Sequence, residues 1–381
     1  MLHFTEEEYS RRRSLLEAEL DRRQLDGMLL FSQESLYWLT GYDTFGFSLF
    51  QCLVVGGCEP VLLTRSADNL QAKLTSNIED IRIWVDGDDA RPARDLASLI
   101  QDLGLAGKKF AIETDTYGLT AKNYIALIEA FDGIAELVEA SDIVSNLRLI
   151  KSDEELKYVR KASILADDSL DAAVALLKPG VDEGEILAAM QGTIFAGGGD
   201  YAGNEFIIGS GDHALLCRYS SGTRKLSAED QLTLEWAGAY RRYHSALMRT
   251  AVIGSPRELH FEMHKAATEA LVRCEEKIAP GNQMHEVFEA HAKTLDDAGF
   301  RTCRLNACGY SLGARFAPTW MEREVFRHGA RTVMQPRMVF FIHIILVDND
   351  SGTAMTTGRT SIVTNEGSEQ LSRHDLEMIV A

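Results

Sequence analysis

Lys178-Pro-Gly-Val181 and Ala279-Pro-Gly-Asn282 open two stretches of the chain that read alike, and the fold follows from that likeness. Proline followed by glycine separates two helices, because the proline ring cannot continue the first and glycine permits the reversal. Each tetrapeptide follows a long amphipathic helix, predicted over Leu156–Leu177 and Glu262–Ile278, and opens a second helix ending near Gly197 or Gly299. Strands follow in both copies: Glu205–Gly209 with Gln231–Glu235 in the first, Asn306–Tyr310 with Met338–Val347 in the second. A duplicated half-domain relates its copies by a pseudo-twofold axis and leaves a pocket between them.

Upstream of the duplication the pattern changes. An amphipathic helix from Glu6 to about Asp26 precedes the apolar run Gly27-Met-Leu-Leu-Phe31, which reads as a buried strand. Strands at Cys52–Val55, Pro60–Thr64, Ile81–Val85 and Lys109–Thr114, with a helix over Arg94–Leu103, complete an α/β sheet domain that ends near residue 145. Ser152 with Glu155 three residues on forms a capping box, which starts a long helix and a second domain. The expected domains are therefore residues 1–145 and 146–381. Gly197-Gly-Gly199 lacks the preceding strand of a dinucleotide-binding loop and reads as a flexible boundary.

With 381 residues, 45% of them hydrophobic and 25% charged, the chain is long enough for two cores. Its net charge of −18 repels phosphate backbones and anionic lipid, so neither nucleic acid nor a membrane is an expected partner. The N-terminus MLHFTEEEYSRRR carries charge where a signal peptide needs apolar residues, which points to the cytoplasm. Cys52, Cys58, Cys217, Cys274, Cys303 and Cys308 have neither CxxC spacing nor disulfide-scaffold density and read as reduced thiols. Cys303 and Cys308 are too isolated from other soft ligands to suggest a zinc site.

Several short motifs add up to a specific resemblance. They are Leu39-Thr-Gly-Tyr42, Leu149-Ile-Lys-Ser152 with Arg160, Tyr240 with Tyr243 and Arg249-Thr250, Gly309 with Gly313, and Val363-Thr364 with Gly367. Over nearly its whole length the chain resembles the pita-bread family of creatinase, prolidase, aminopeptidase P and the methionine aminopeptidases. The resemblance implies a small N-terminal creatinase-like α/β domain, a C-terminal pita-bread domain (α+β) with the internal duplication, and a homodimer. In that dimer the resemblance implies that the N-terminal domain of one subunit reaches across with Tyr42, Asp43 and Phe45 to close the other's substrate pocket. An ordinary turn after Gly41 is the plainer reading of those residues.

The metallopeptidases of the family hold two divalent ions through two Asp, one His and two Glu. Aligned on the motifs above, those five positions are Glu235, Ala246, Tyr310, His343 and Gly358. At most Glu235 and His343 could donate to a metal, so no metal and no cofactor is expected. The chain is most similar to the metal-free branch with creatinase and ectoine hydrolase. The stretches that carry this are Trp38-Leu-Thr-Gly-Tyr-Asp43, Gly198-Gly-Asp-Tyr201 and Leu234-Glu-Trp-Ala-Gly-Ala-Tyr-Arg-Arg-Tyr-His244. Two departures stand out: the branch's catalytic His falls on Cys217, with one residue inserted at Ser220–Thr223, and no acid stands near position 358.

Candidate catalytic residues follow from burial as well as from alignment. Glu235 ends an apolar strand pattern, where a carboxylate is expensive to bury unless it lines a pocket; there it could serve as base or nucleophile. His343, in Phe340-Phe-Ile-His-Ile-Ile-Leu346, and His244 could shuttle protons or be hydrogen-bonded core histidines. Tyr310 could donate to a developing anion. Cys217 beside Arg218 could be an activated thiol, although free cysteines usually pack, and His213 could replace the missing acid/base group. Arg218, Arg315 and Arg359 are candidates for gripping a substrate carboxylate. The function expected is hydrolysis of a C–N bond in a small nitrogen-rich metabolite, an ectoine-like or creatine-like amidine or amide. The alternatives are an Xaa-Pro dipeptidase or aminopeptidase and a non-catalytic metabolite-binding protein.

Overall fold

The computed structural model describes residues 2–57, 59–219 and 222–381. Cys58 and the start of the Ser220–Thr223 insertion, both named above, lie outside the described residues. The chain divides into two compact units, Met1–Arg148 and Leu149–Ala381. The division falls after Arg148 rather than after residue 145, because the short helix Asp142–Leu147 buries Ile143 and Val144 in the first unit's core.

In the first unit, α1 (Glu6–Arg23), β1 (Gly27–Leu30), α2 (Gln33–Thr40), β2 (Cys52–Val55) and β3 (Val61–Arg65) come first. They are followed by α3 (Asn69–Thr75), β4 (Asp80–Trp84), α4 (Pro92–Asp102), β5 (Lys109–Ile112), α5 (Ala121–Phe131), β6 (Glu136–Glu139) and α6 (Asp142–Leu147). The strands form one mixed sheet in the order β4-β3-β2-β1-β5-β6. Alternate residues of β1 enter two different cores, Leu29 on one face and Met28 with Leu30 on the other. A sheet covered on both faces needs a continuous apolar run, which is why Gly27–Phe31 shows no alternation.

Glu113 follows β5 and is fully enclosed in this unit. Its carboxylate accepts from the backbone N–H groups of Phe31 (3.0 Å) and Ser32 (2.8 Å) and from the Ser35 hydroxyl (2.5 Å), so it caps the start of α2. Burial raises its pKa to about 7 despite those donors. A carboxyl whose pKa rises on folding contributes stability that is complete below its unfolded value near 4.5 and lost as the pH climbs through about 7. Wild-type protein is therefore expected to melt lower at pH 8 than at pH 6. In Glu113→Gln that drop should shrink, which thermal melts at the two pH values would check.

The second unit contains α7 (Asp153–Val174), α8 (Glu183–Ala196), β7 (Ile207–Ser210), β8 (Asp230–Tyr240), β9 (Tyr243–Ile253), α9 (Glu258–Lys277) and α10 (Met284–Asp297). It continues with β10 (Ala307–Ser311), β11 (Val325–Arg327), β12 (Val339–Asp348), β13 (Thr353–Val363), β14 (Ser368–Gln370) and β15 (Ile379–Val380). Ser152 and Glu155 make both halves of the capping box at α7. The sheet runs β11-β10-β12-β13-β9-β8-β7, with β14 on β13 and β15 on β9. Read outward from the β13/β9 seam, β9-β8-β7 matches β13-β12-β10, so the duplicated halves meet at that seam.

Helices cover one face of this sheet. Trp236 donates its indole N–H to Ala166 O of α7 at 2.9 Å, and a Cβ on Gly238 would lie 2.0 Å from Ala162 O. Phe340, Ile342, Ile344 and Leu346 of β12 pack with Met263, Ala267 and Leu271 of α9 and Val287 of α10. The intervening odd-numbered positions of β8 and β12 face the other way. No helix among the described residues is long and apolar enough to cross a membrane.

Candidate active site

Strand register brings three of these positions, Glu235, Gly358 and His343, into one row across the seam, with Met248 between them. Glu235 pairs with Met248, Met248 with Gly358, and Gly358 with His343. Residues directly opposite in a sheet share a face, so Glu235 and His343 occupy equivalent places in the two halves, on the face opposite α7 and α9. Each is almost wholly buried.

Tyr310, paired with Phe341, comes onto the same face beside this row through a bulge in β10. The pairing of β10 with β11 shifts between Ala307 and Tyr310, and Gly309 between them has φ +148. A Cβ there would lie 2.2 Å from Phe341 O. The bulge undoes the usual alternation, so Cys308 packs in the helix-side core while the Tyr310 ring meets Phe341 and His343 on the other face. Centroid separations of 5.5, 5.6 and 5.5 Å make Tyr310, Phe341 and His343 a mutual cluster. The Tyr310 hydroxyl accepts from Trp320 Nε1 at 2.7 Å and lies beside the Glu235 carboxylate.

Burial sets the protonation of the site. It lifts Glu235 to about 7, opposed by the Arg218 charge and by the Tyr310 hydroxyl. It drives His343 down to about 4, with Arg218 acting in the same direction. Near neutral pH, Glu235 is poised to take or give a proton, whereas His343 is an uncharged imidazole. The His343 Nδ1 atom is buried without a hydrogen-bond partner.

The segment after β7 carries Arg218, Cys217 and His213, and α8 holds it in place. Glu183 at the first turn of α8 is fully buried, and its carboxylate accepts from Ser210 N (2.8 Å), Ser210 Oγ (2.6 Å), Gly222 N (3.3 Å) and the Tyr219 hydroxyl (3.4 Å). Arg218 is exposed and donates to Cys217 O at 2.7 Å; its charge reaches Glu235, His343 and Tyr310. With Ile207, Tyr201, Phe195, Asn204 and Pro318 it lines a cavity of about 600 Å³. Ile207 of this lining pairs directly with Glu235 in the sheet.

Several expectations are corrected. The Cys217 thiol is raised, not lowered, because burial and the Glu235 charge outweigh Arg218, so it is not an activated nucleophile. His213 stacks on Tyr219 at 4.3 Å, next to the Glu183 anchor. His244 is a fully buried brace: Nε2 accepts from Gly203 N at 2.9 Å, Nδ1 lies 3.4 Å from Gly313 O, and burial lowers its pKa to about 4. It shares the sheet face of Glu235 but lies roughly 13 Å along the strands, four residues on. Arg359 faces the helices and forms a bidentate pair with Glu275 of α9, both bonds 2.7 Å. Arg315 turns to Thr319 O at 3.4 Å.

In the first unit, Tyr42 is wholly buried in the core, with Gln33 donating to its carbonyl and burial pushing the phenol up to about 12. It cannot touch a ligand from there. The backbone of Asp43 is tied to Thr75 and Gln71, while Phe45 is 90% exposed. Trp320 and Phe341 were not singled out from the sequence. Both are apolar-looking residues whose part in the site arises from strand register and from one indole N–H.

A model of metallopeptidase family M24 matches residues 157–365, more than half of the chain. The chain belongs to metallopeptidase family M24. A second model, the creatinase/prolidase N-terminal domain, matches residues 12–150. Membership makes the protein a pita-bread hydrolase acting on peptide or other C–N bonds. It is 27% identical to an ectoine hydrolase of Halomonas elongata over 100% of this chain and 98% of that one. Identity to an Xaa-Pro dipeptidase of Pyrococcus furiosus is 21%, over 94% of this chain and 97% of that one. The crystal structure of dipeptidase PepE from Mycobacterium ulcerans superposes with a TM-score of 0.85 at 24% identity over 99% of each chain, a likeness of fold.

The family's paired metal does not fit the residues present in this member. Ala246 supplies a methyl group, and Gly358 supplies nothing. A Cβ on Gly358 would lie 2.7 Å from Ile342 O and 3.0 Å from the Phe341 ring, so the space of a second glutamate is filled by that ring. Among the described residues, no three His, Cys, Asp or Glu side chains come together to hold a metal ion.

Proposed function

We propose that this M24 protein hydrolyses a C–N bond of a small nitrogen-rich metabolite with its own side chains. The single observation that carries this reading is that the sheet sets Glu235 in line with Gly358 and His343, with Ala246 two residues along β9, which leaves one carboxylate where the family's metal site needs four. Glu235, with a pKa near 7, takes a proton from water as the oxygen attacks the carbonyl or amidine carbon. It returns that proton to the leaving nitrogen as the C–N bond breaks, so the carboxylate is regenerated. His343 stays neutral and offers hydrogen bonds, and Arg218 provides an exposed cation at the cavity for an anionic group of the substrate.

A second reading is an Xaa-Pro dipeptidase or aminopeptidase, and the names of similar proteins weigh toward it: prolidases and dipeptidases predominate among them. The substituted ligand positions weigh toward the first. The two separate when purified protein is incubated with ectoine, creatine and a set of Xaa-Pro dipeptides, with and without added Mn²⁺, and products are followed by mass spectrometry. Cleavage of ectoine or creatine in the presence of a chelator is expected. Cleavage confined to Xaa-Pro dipeptides and dependent on Mn²⁺ would overturn the proposal.

A further inference from the structure

Trp320 lies between β10 and β11 and is 1% exposed. Its backbone N–H donates to Asn204 Oδ1 at 3.2 Å, and its indole N–H donates to the Tyr310 hydroxyl oxygen at 2.7 Å. An indole nitrogen can only donate, so the phenol oxygen must accept in that bond. A phenol has one proton of its own, and the Glu235 carboxylate lies near enough to act on the group; as an anion that carboxylate can only accept. When Glu235 is ionised, the donor order is therefore indole to phenol and phenol to carboxylate.

We propose that Trp320 is a positioning residue for Glu235, acting through Tyr310 by turning the phenol proton toward the carboxylate. The inference rests on the reading of Glu235 as the reacting group and deepens it. A hydrogen bond received by a hydroxyl strengthens the one it gives, by roughly 10–30% per link. Burial and the backbone tie to Asn204 hold the indole in place. The tie also makes the 200–206 segment, which walls the cavity, part of the arrangement that orients Tyr310.

The test needs no substrate, so its failure is distinct from failure of the proposed function. Carboxyl ¹³C resonances of glutamate-labelled protein are titrated by NMR, with the Glu235 signal identified by its loss in Glu235→Gln. Trp320→Phe is expected to raise the Glu235 midpoint by about half a pH unit, and Tyr310→Phe by about one unit or more, because donors to the charged form are lost. The double variant should match Tyr310→Phe alone. An unchanged midpoint in Trp320→Phe, or a Trp320 shift persisting undiminished on the Tyr310→Phe background, overturns the proposal. Where Trp320→Phe does not fold, benzothienylalanine at position 320, an isostere without the N–H, is read against the same outcomes.

Discussion

Glu235→Gln is expected to lose turnover by about 10²–10⁴-fold, the range that a positioned general base supplies, while the protein keeps its fold. In the wild type, kcat/KM should rise as the pH passes through about 7, where the buried carboxyl ionises, and the residual activity of the variant should lack that limb. Stability moves the opposite way. Folding raises this carboxyl from 4.5 to about 7, so its contribution is complete below pH 4.5 and is lost as the pH rises through 7. The glutamine variant should therefore be more stable than wild type at pH 8, by as much as about 3 kcal/mol, and not at pH 4. Steady-state rates across pH on the first substrate found, paired with thermal melts, check both signs. A variant with full turnover would remove Glu235 from the chemistry.

Gly358→Glu, which restores a family metal ligand on paper, is expected to destabilise the second unit rather than to recruit an ion. The new Cβ would stand 2.7 Å from Ile342 O and 3.0 Å from the Phe341 ring, and Ile342 O belongs to a paired strand that cannot give way cheaply. Overpacking and a buried, unpaired charge together should remove about 2–4 kcal/mol, seen as a fall of roughly 5–10 °C in Tm. Adding Phe341→Ala should recover part of that loss by clearing the ring. A stable Gly358→Glu protein that binds Mn²⁺ with the ring in place would show that the sheet is more accommodating than its packing implies.

The duplicated Pro-Gly openings and the apolar strands make the architecture readable, because they record backbone reversals and two-sided burial directly. The central hairpin was less readable. Arg241 and Arg242 both take positive φ in its two-residue turn, where Asn-Gly is the usual signal, so β8 runs to Tyr240 rather than stopping at Glu235. Glu235 and His343 could be picked out because a polar group in an apolar run must be explained. Side-chain direction was not legible: Arg359 faces Glu275 across the sheet from His343, and His244 spends its ring nitrogens on two loops. Trp320 and Phe341 left no trace in the pattern, since an apolar residue signals burial without saying which polar atom or empty position it serves.

The proposed hydrolysis uses protein groups where the family uses a pair of cations. Its most direct measurement is turnover of purified protein after exhaustive chelation, with metal content per subunit determined on the same sample. Unchanged kcat at a metal content far below one ion per subunit is expected. Activity that vanishes on chelation and returns with two equivalents of Mn²⁺ or Zn²⁺ would contradict it.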